Sequence, residues 1–127
     1  MKQSGATVAA IAAGGAIGAL LRAGLSEAGP VHGWPITTLA VNIGGTVLLA
    51  AVAAVLAWRP RLPHWLHPLA AVGFCGSITT FSTMQVEAVV LMRDGMSGTA
   101  VVYLIVSVAV GLAAVMATRR LLRTVLA

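Results

Sequence analysis

The chain has 127 residues, of which 59% are hydrophobic and only 9% charged, and its mean hydropathy is +0.98. An ordinary soluble domain carries about 25% charged residues, so composition alone excludes that class and points to a membrane. The net charge of +5 is no nucleic-acid signature, because the basic residues form no aromatic-interleaved patch and gather at segment ends, where anionic headgroups read them.

Four apolar stretches run at about residues 5–26, 36–58, 67–92 and 98–122. Each is long enough to cross a hydrocarbon core of about 30 Å as a helix. They predict one all-α membrane domain covering 1–127. In the first stretch, Lys2 followed by an apolar run also describes a cleavable signal peptide. The run continues past twenty residues, however, Arg22 interrupts its far end, and more membrane follows, so an uncleaved helix is expected. Gly14, Gly18 and Arg22 are spaced by four and share one helical face, the spacing that lets helices approach closely in lipid.

Gly29-Pro30 and Pro35 bracket the first loop, and the second segment sets Thr38, Asn42 and Thr46 four apart with Gly45 beside them. Pro60, Pro63 and Pro68 fill the second loop. His32, His64 and His67 all occupy proline-flanked, loop-like places with no acid near them in sequence, so no Ser-His-acid set is present. His64 and His67 lack the carboxylate or cysteine that would complete a metal site, and no glycine-rich phosphate loop occurs. Nothing here resembles the site of a soluble enzyme.

The third segment is the most informative. Gly73-Phe-Cys-Gly-Ser-Ile-Thr-Thr-Phe-Ser-Thr83 holds two glycines and five hydroxyl side chains in eleven residues, a poor recipe for a lipid-facing helix. Irregular backbone at membrane depth survives only where protein buries it or where it lines a watery path. A break in the centre of the third helix is therefore expected, as a place where something is bound or conducted. Cys75 falls within this string; one cysteine makes no intrachain disulfide, and a small buried apolar role suits it. Glu87 follows Thr83 by four, an intramembrane acid suited to helix bonding or to proton coupling. Arg22 either serves a functional site or snorkels to the interface.

Arg93-Asp94-Gly95 reads as a tight turn, and the fourth segment runs Thr99, Tyr103, Ser107 and Gly111 down one side. Hydroxyls and amides of this kind can simply hold helices together, at about 0.6 kcal/mol each. Converging stripes beside a broken helix favour a lined pathway.

These strings resemble the Fluc (CrcB) family of small bacterial fluoride channels over essentially the whole length. The resemblance is carried by Gly14-Gly15-Ala-Ile-Gly18-Ala-Leu-Leu-Arg22, by Thr38-Leu-Ala-Val-Asn42-Ile-Gly44, and above all by the Gly73–Thr83 string, with Tyr103 and Ser107 fitting the fourth helix. It implies antiparallel dimers of four-helix subunits, with the third helix broken and two fluoride pores per dimer. It also implies a structural sodium ion (Na+) at the dimer centre, held by backbone carbonyls of Gly76 and Thr79. Asn42, Phe81, Ser82, Thr83, Met84, Tyr103 and Ser107 are then expected to line or flank the pores, with Arg22 by a vestibule and Glu87 bracing the third helix.

One departure stands out. The family usually carries a second pore phenylalanine three residues after the first, and here that position is Met84. Phe81 and Met84, three apart, are expected on nearly the same helical face.

The implied function is passive fluoride export across the bacterial inner membrane, with fluoride, the bilayer and an antiparallel partner subunit (identical or homologous) as partners, and no nucleic acid. The alternative is a small multidrug-type, proton-coupled cation exporter, which also uses four helices but needs a titrating glutamate in the first helix. This chain has Arg22 there and no acid. A membrane anchor or assembly subunit would account for packing stripes but not for a broken third helix.

Overall fold

The computed structural model describes residues 4–29, 33–59 and 61–126; Lys2, Pro30, His32 and Pro60 lie outside the described residues. Every element among the described residues is helical: α1 Gly5–Glu27, α2 Ile36–Trp58, a π-helical segment Pro68–Cys75, then α3 Gly76–Ile78, α4 Phe81–Arg93 and α5 Ser97–Leu126. The π-helical segment, α3 and α4 together make a single stretch, Pro68–Arg93, long and apolar enough to span a membrane. With α1, α2 and α5 the chain has four such stretches. Four crossings put the start of α1 and the end of α5 on one side.

Each element has a local cause. Ser4 caps α1 by accepting the Thr7 N–H at 3.3 Å, a bond type typically worth about 1 kcal/mol. The turn between α4 and α5 closes by a Schellman arrangement, with Gly95 N–H donating to Met92 O at 3.1 Å and Met96 N–H to Leu91 O at 2.8 Å. Gly95 has φ +77°, the left-handed conformation that glycine adopts without a Cβ penalty. α5 continues past residue 122 to Leu126 because Arg119, Arg120, Leu121, Leu122 and Arg123 are all good helix formers.

The small-residue face of α1 packs on the third span at backbone contact. Gly14 and Gly18 are buried. A Cβ on Gly14 would collide with the Leu69 carbonyl, and one on Gly18 would stand 2.5 Å from the Phe74 carbonyl oxygen. From the other side, a Cβ on Gly73 would meet the Ile11 carbonyl oxygen at 2.5 Å. The obstacles are backbone and cannot swing aside, so these glycines are what allow the two spans to touch.

Between α3 and α4 the chain leaves helical geometry for two residues. Thr79 (φ −79°, ψ 150°) and Thr80 (φ −147°, ψ 117°) are extended. Their hydroxyls compete with the helical ladder: Thr79 Oγ1 donates to Cys75 O at 2.8 Å, and Thr80 Oγ1 accepts from Thr83 N–H at 3.2 Å as the cap of α4. Immediately upstream lies the π-helical winding, a rare geometry that concentrates at functional sites.

The buried core joins α4 to α5: Met84, Ala88 and Leu91 pack against Ala100 and Tyr103, with Trp34, Leu39 and Leu104 around them. Phe81 and Met84 therefore do not share an environment. Met84 is 5% exposed inside this core, whereas Phe81, the first residue of α4, is 72% exposed. A spacing of three still separates two side chains by about 60° around the axis, enough for one to enter the core and the other to stay outside it.

Candidate functional site

Asn42 organises the site. Its Oδ1 accepts the Thr80 N–H at 2.7 Å and its Nδ2 donates to the Thr80 carbonyl at 3.0 Å, so the side-chain amide pairs with Thr80 as a neighbouring strand would. Those two bonds fix the amide orientation, since the flipped amide would set donor against donor. One N–H of the Asn42 amide remains beyond this pairing.

The pairing has a consequence for the carbonyls of the third span. The Thr80 N–H that a continuous helix would send to Gly76 O goes to Asn42, and the Thr83 N–H that would reach Thr79 O goes to the Thr80 hydroxyl. The carbonyls of Gly76 and Thr79 are thus deprived of their helical donors. Both are hard, uncharged oxygen donors. Among the described residues no group of three His, Cys, Asp or Glu is placed to hold a metal, and His64 and His67 are exposed.

The Phe81 ring stands at the rim of a hollow of about 260 Å³ lined also by Asn42, Gly45, Thr46, Thr79 and Thr80. Thr80 Oγ1 donates to Thr83 Oγ1 at 2.9 Å, which leaves the Thr83 hydroxyl hydrogen for another acceptor. Ser82 is exposed, its hydroxyl 3.4 Å from Thr80 Oγ1. A set of O–H and N–H donors beside an aromatic edge can replace water around a small anion.

A second polar cluster lies deeper. Glu87 Oε1 accepts from Thr38 Oγ1 at 2.6 Å and Oε2 from the Tyr103 hydroxyl at 2.7 Å, so one carboxylate ties α4 to α2 and α5. Thr38 and Tyr103 are both buried, and the Trp34 ring meets Tyr103 edge-on at 5.7 Å. Ser107 Oγ donates back to Tyr103 O at 2.7 Å. A hollow of about 440 Å³ reaches Thr38, Thr83 and Glu87 from the end where Asp94 and Met96 lie.

The Nε of Arg22 donates to Ser77 O at 3.0 Å, which ties α1 to the third span just before the extended pair.

Of the residues expected at the site, Asn42, Phe81, Thr79 and Thr83 gather around the extended pair, with Ser82 and Gly76 adjoining it. Met84, Tyr103 and Glu87 belong to the α4–α5 contact, where Met84 and Tyr103 are closed off within this single chain, and among the described residues Ser107 bonds only within α5. Sequence reasoning missed Thr80, the hub of both Asn42 and Thr83, although a threonine three residues before a bonded N–H is an N-cap pattern that could have revealed it. It also missed Ser77 as the partner of Arg22 and Trp34 as the neighbour of Tyr103, neither of which had a local signal.

A family profile described as CrcB-like protein, Camphor Resistance (CrcB) matches residues 9–119. The chain is 42% identical over 120 residues to the "Fluoride-specific ion channel FluC 1" of Mycolicibacterium paratuberculosis, covering 93% of this chain and 91% of that one. It is 45% identical over 118 residues to the "Fluoride-specific ion channel FluC 2" of Symbiobacterium thermophilum (90% and 95% covered). It is 44% identical over 108 residues to the "Fluoride-specific ion channel FluC 2" of Geobacillus kaustophilus (83% and 84% covered). With the profile spanning most of its length and these relatives covering nearly all of it, the chain belongs to the Fluc (CrcB) family and is not an enzyme.

Proposed function

We propose that this protein is a passive, fluoride-selective channel of the bacterial inner membrane, through which cytoplasmic fluoride leaves the cell. The observation that carries the reading is the Asn42–Thr80 pairing, which holds the third span open beside Phe81 and the Ser82 and Thr83 hydroxyls. Fluoride is small and tightly hydrated, so its entry requires substitute donors. The remaining Asn42 N–H, the two hydroxyls and the positive edge of the Phe81 ring are of that type. Ser107 flanks the path, Met84 and Tyr103 back it from within the α4–α5 core, Arg22 attracts anions towards it, and Glu87 braces the third helix. The reading makes Thr79-Thr80 the break of the third transmembrane helix.

The hollow beside Phe81 is open at the surface of the chain, which supports a pore completed by a second, antiparallel subunit. A structural Na+ at the break fits the Gly76 and Thr79 carbonyls, which lack helical donors. When bound, it would neutralise backbone dipoles that are otherwise costly in lipid. Purified protein in vesicles, followed by a fluoride electrode, should release fluoride and retain chloride. Replacing sodium on both sides by a bulky organic cation should suppress the release. Comparable loss of both halides contradicts the substrate, and undiminished fluoride flux after exhaustive sodium removal contradicts the cation site.

Charge bears on the partner. The side holding the end of α5 carries Arg59, Arg61, Arg119, Arg120 and Arg123, to which Lys2 adds, against Arg22 and Arg93 towards the other. The positive-inside rule then favours cytoplasmic termini and one insertion direction, so an oppositely biased homologous subunit fits the antiparallel dimer better than a second copy. Cysteines placed in the α2–π-segment loop and the α4–α5 turn should label from opposite sides only, in cells expressing this chain alone. Labelling of both from both sides establishes dual topology and returns the homodimer.

A further inference from the structure

Thr80 lines the hollow beside Phe81, and Thr83 lines the deeper hollow that reaches Thr38 and Glu87. Their hydroxyl oxygens are 2.9 Å apart, so one hydrogen bond joins the linings of the two hollows.

Hydroxyls on the helices of this chain have a default. Thr79 Oγ1 donates to Cys75 O at 2.8 Å, Ser107 Oγ to Tyr103 O at 2.7 Å, and Thr124 Oγ1 to Leu121 O at 2.7 Å. Each hydrogen returns to a carbonyl three or four residues earlier, which satisfies the group and withdraws it from any ligand. Thr83 departs from this habit. The carbonyls at those spacings belong to Thr79, whose extended backbone turns out of the helix, and to Thr80, which already accepts from Asn42.

The Thr80 hydroxyl completes the exception. It has a single hydrogen and gives it to Thr83 Oγ1, the Ser82 hydroxyl lying farther off at 3.4 Å. The Thr83 oxygen thus accepts on the side of Thr80, and its own hydrogen must turn elsewhere. A hydroxyl that accepts while it donates is also the stronger donor, because each bond in such a chain polarises the next. We infer that Thr80 is a positioning residue for conduction, which turns the Thr83 hydroxyl hydrogen to the path as a strengthened donor to fluoride without giving its own hydrogen to the ion. The inference rests on the channel reading above and adds to it a residue that acts through another.

The test is a double-mutant cycle on fluoride efflux from vesicles at equal amounts of reconstituted protein, followed from seconds to hours so that slow variants are still read. Thr80→Gly removes the hydroxyl but keeps the backbone N–H and C=O that pair with Asn42, and glycine is tolerated at a helix N-cap. It should slow efflux about fivefold, the worth of one hydrogen bond. Thr80→Ser retains the donor and should restore most of the rate. Thr83→Val should slow efflux at least as much as Thr80→Gly. In that background Thr80→Gly should change the rate by no more than about twofold, since no hydrogen is left to position. A second fivefold loss there would mean that Thr80 acts by shape or on the ion directly, and overturns the proposal. Unchanged efflux in Thr80→Gly, or Thr80→Ser no better than glycine, overturns it too. Thr80→Val, which keeps the bulk, carries the same comparison if the glycine variant does not fold. Fluoride release no faster than chloride in the unsubstituted protein overturns the channel reading and this inference with it. Selective release there together with a failed Thr80 comparison overturns this inference alone.

Discussion

Asn42→Ala should abolish fluoride conduction, with a fall of at least about a hundredfold, and should also destabilise the protein. The substitution removes both partners of Thr80 at once, leaving a backbone N–H and a C=O unpaired in a half-buried place. Each such group costs about 1–3 kcal/mol when its partner is deleted, so about 2–6 kcal/mol is at stake before any loss of conduction. Thr80 would then be free to return its N–H to the Gly76 carbonyl and straighten the span. Asn42→Asp separates the two effects. A carboxylate still accepts the Thr80 N–H, so unfolding in detergent should shift less than for alanine, while a negative charge beside the path should stop fluoride as completely. Thermal unfolding and vesicle efflux measured on the same preparations check both halves. Retained flux in folded Asn42→Ala would remove Asn42 from the mechanism.

Phe81→Ile should cut fluoride flux by about tenfold or more, while Met84→Leu should change it by no more than about twofold. The structure sharpens the contrast. Phe81 is 72% exposed and makes little of the chain's own core, so losing its ring costs the subunit almost no packing, and any large effect reports what the ring does at the surface. An aromatic edge contact worth about 1.5 kcal/mol corresponds to about tenfold in rate. Met84 is held among Ala88, Leu91, Ala100 and Tyr103, where leucine conserves volume at less than about 1.5 kcal/mol. Efflux of each variant, compared at equal amounts of reconstituted protein, decides. Equal, small effects would deny Phe81 a special role.

The four spans and the polar face of each were legible because hydropathy and a spacing of four are local properties. Gly14, Gly18 and Arg22 were predicted to share a face, and all three meet the third span. Thr38 and Asn42 were likewise predicted to share a face, and both reach the third span, on Glu87 and Thr80. What spacing could not supply was the partner. Thr80 leaves helical geometry on the strength of an amide 38 residues away on another helix, and no window of sequence around Thr80 contains that information. The divergence of Phe81 and Met84 was illegible for the same reason: a period of 3.6 sets their relative direction, but which of the two directions a neighbouring helix covers is a tertiary fact. Met84 illustrates the point most clearly, since at a position where the family usually has a phenylalanine it packs as core within its own chain.

The central claim is passive conduction selective for fluoride, and a reversal potential tests it most directly. With the protein in a planar bilayer, a fluoride gradient is set against an opposing chloride gradient, and the voltage of zero current is read. A selective passive pore predicts reversal at the fluoride equilibrium potential, unmoved by a superimposed pH gradient. Reversal near the chloride potential, or one that shifts with the pH gradient as a proton-coupled exporter requires, would contradict the account.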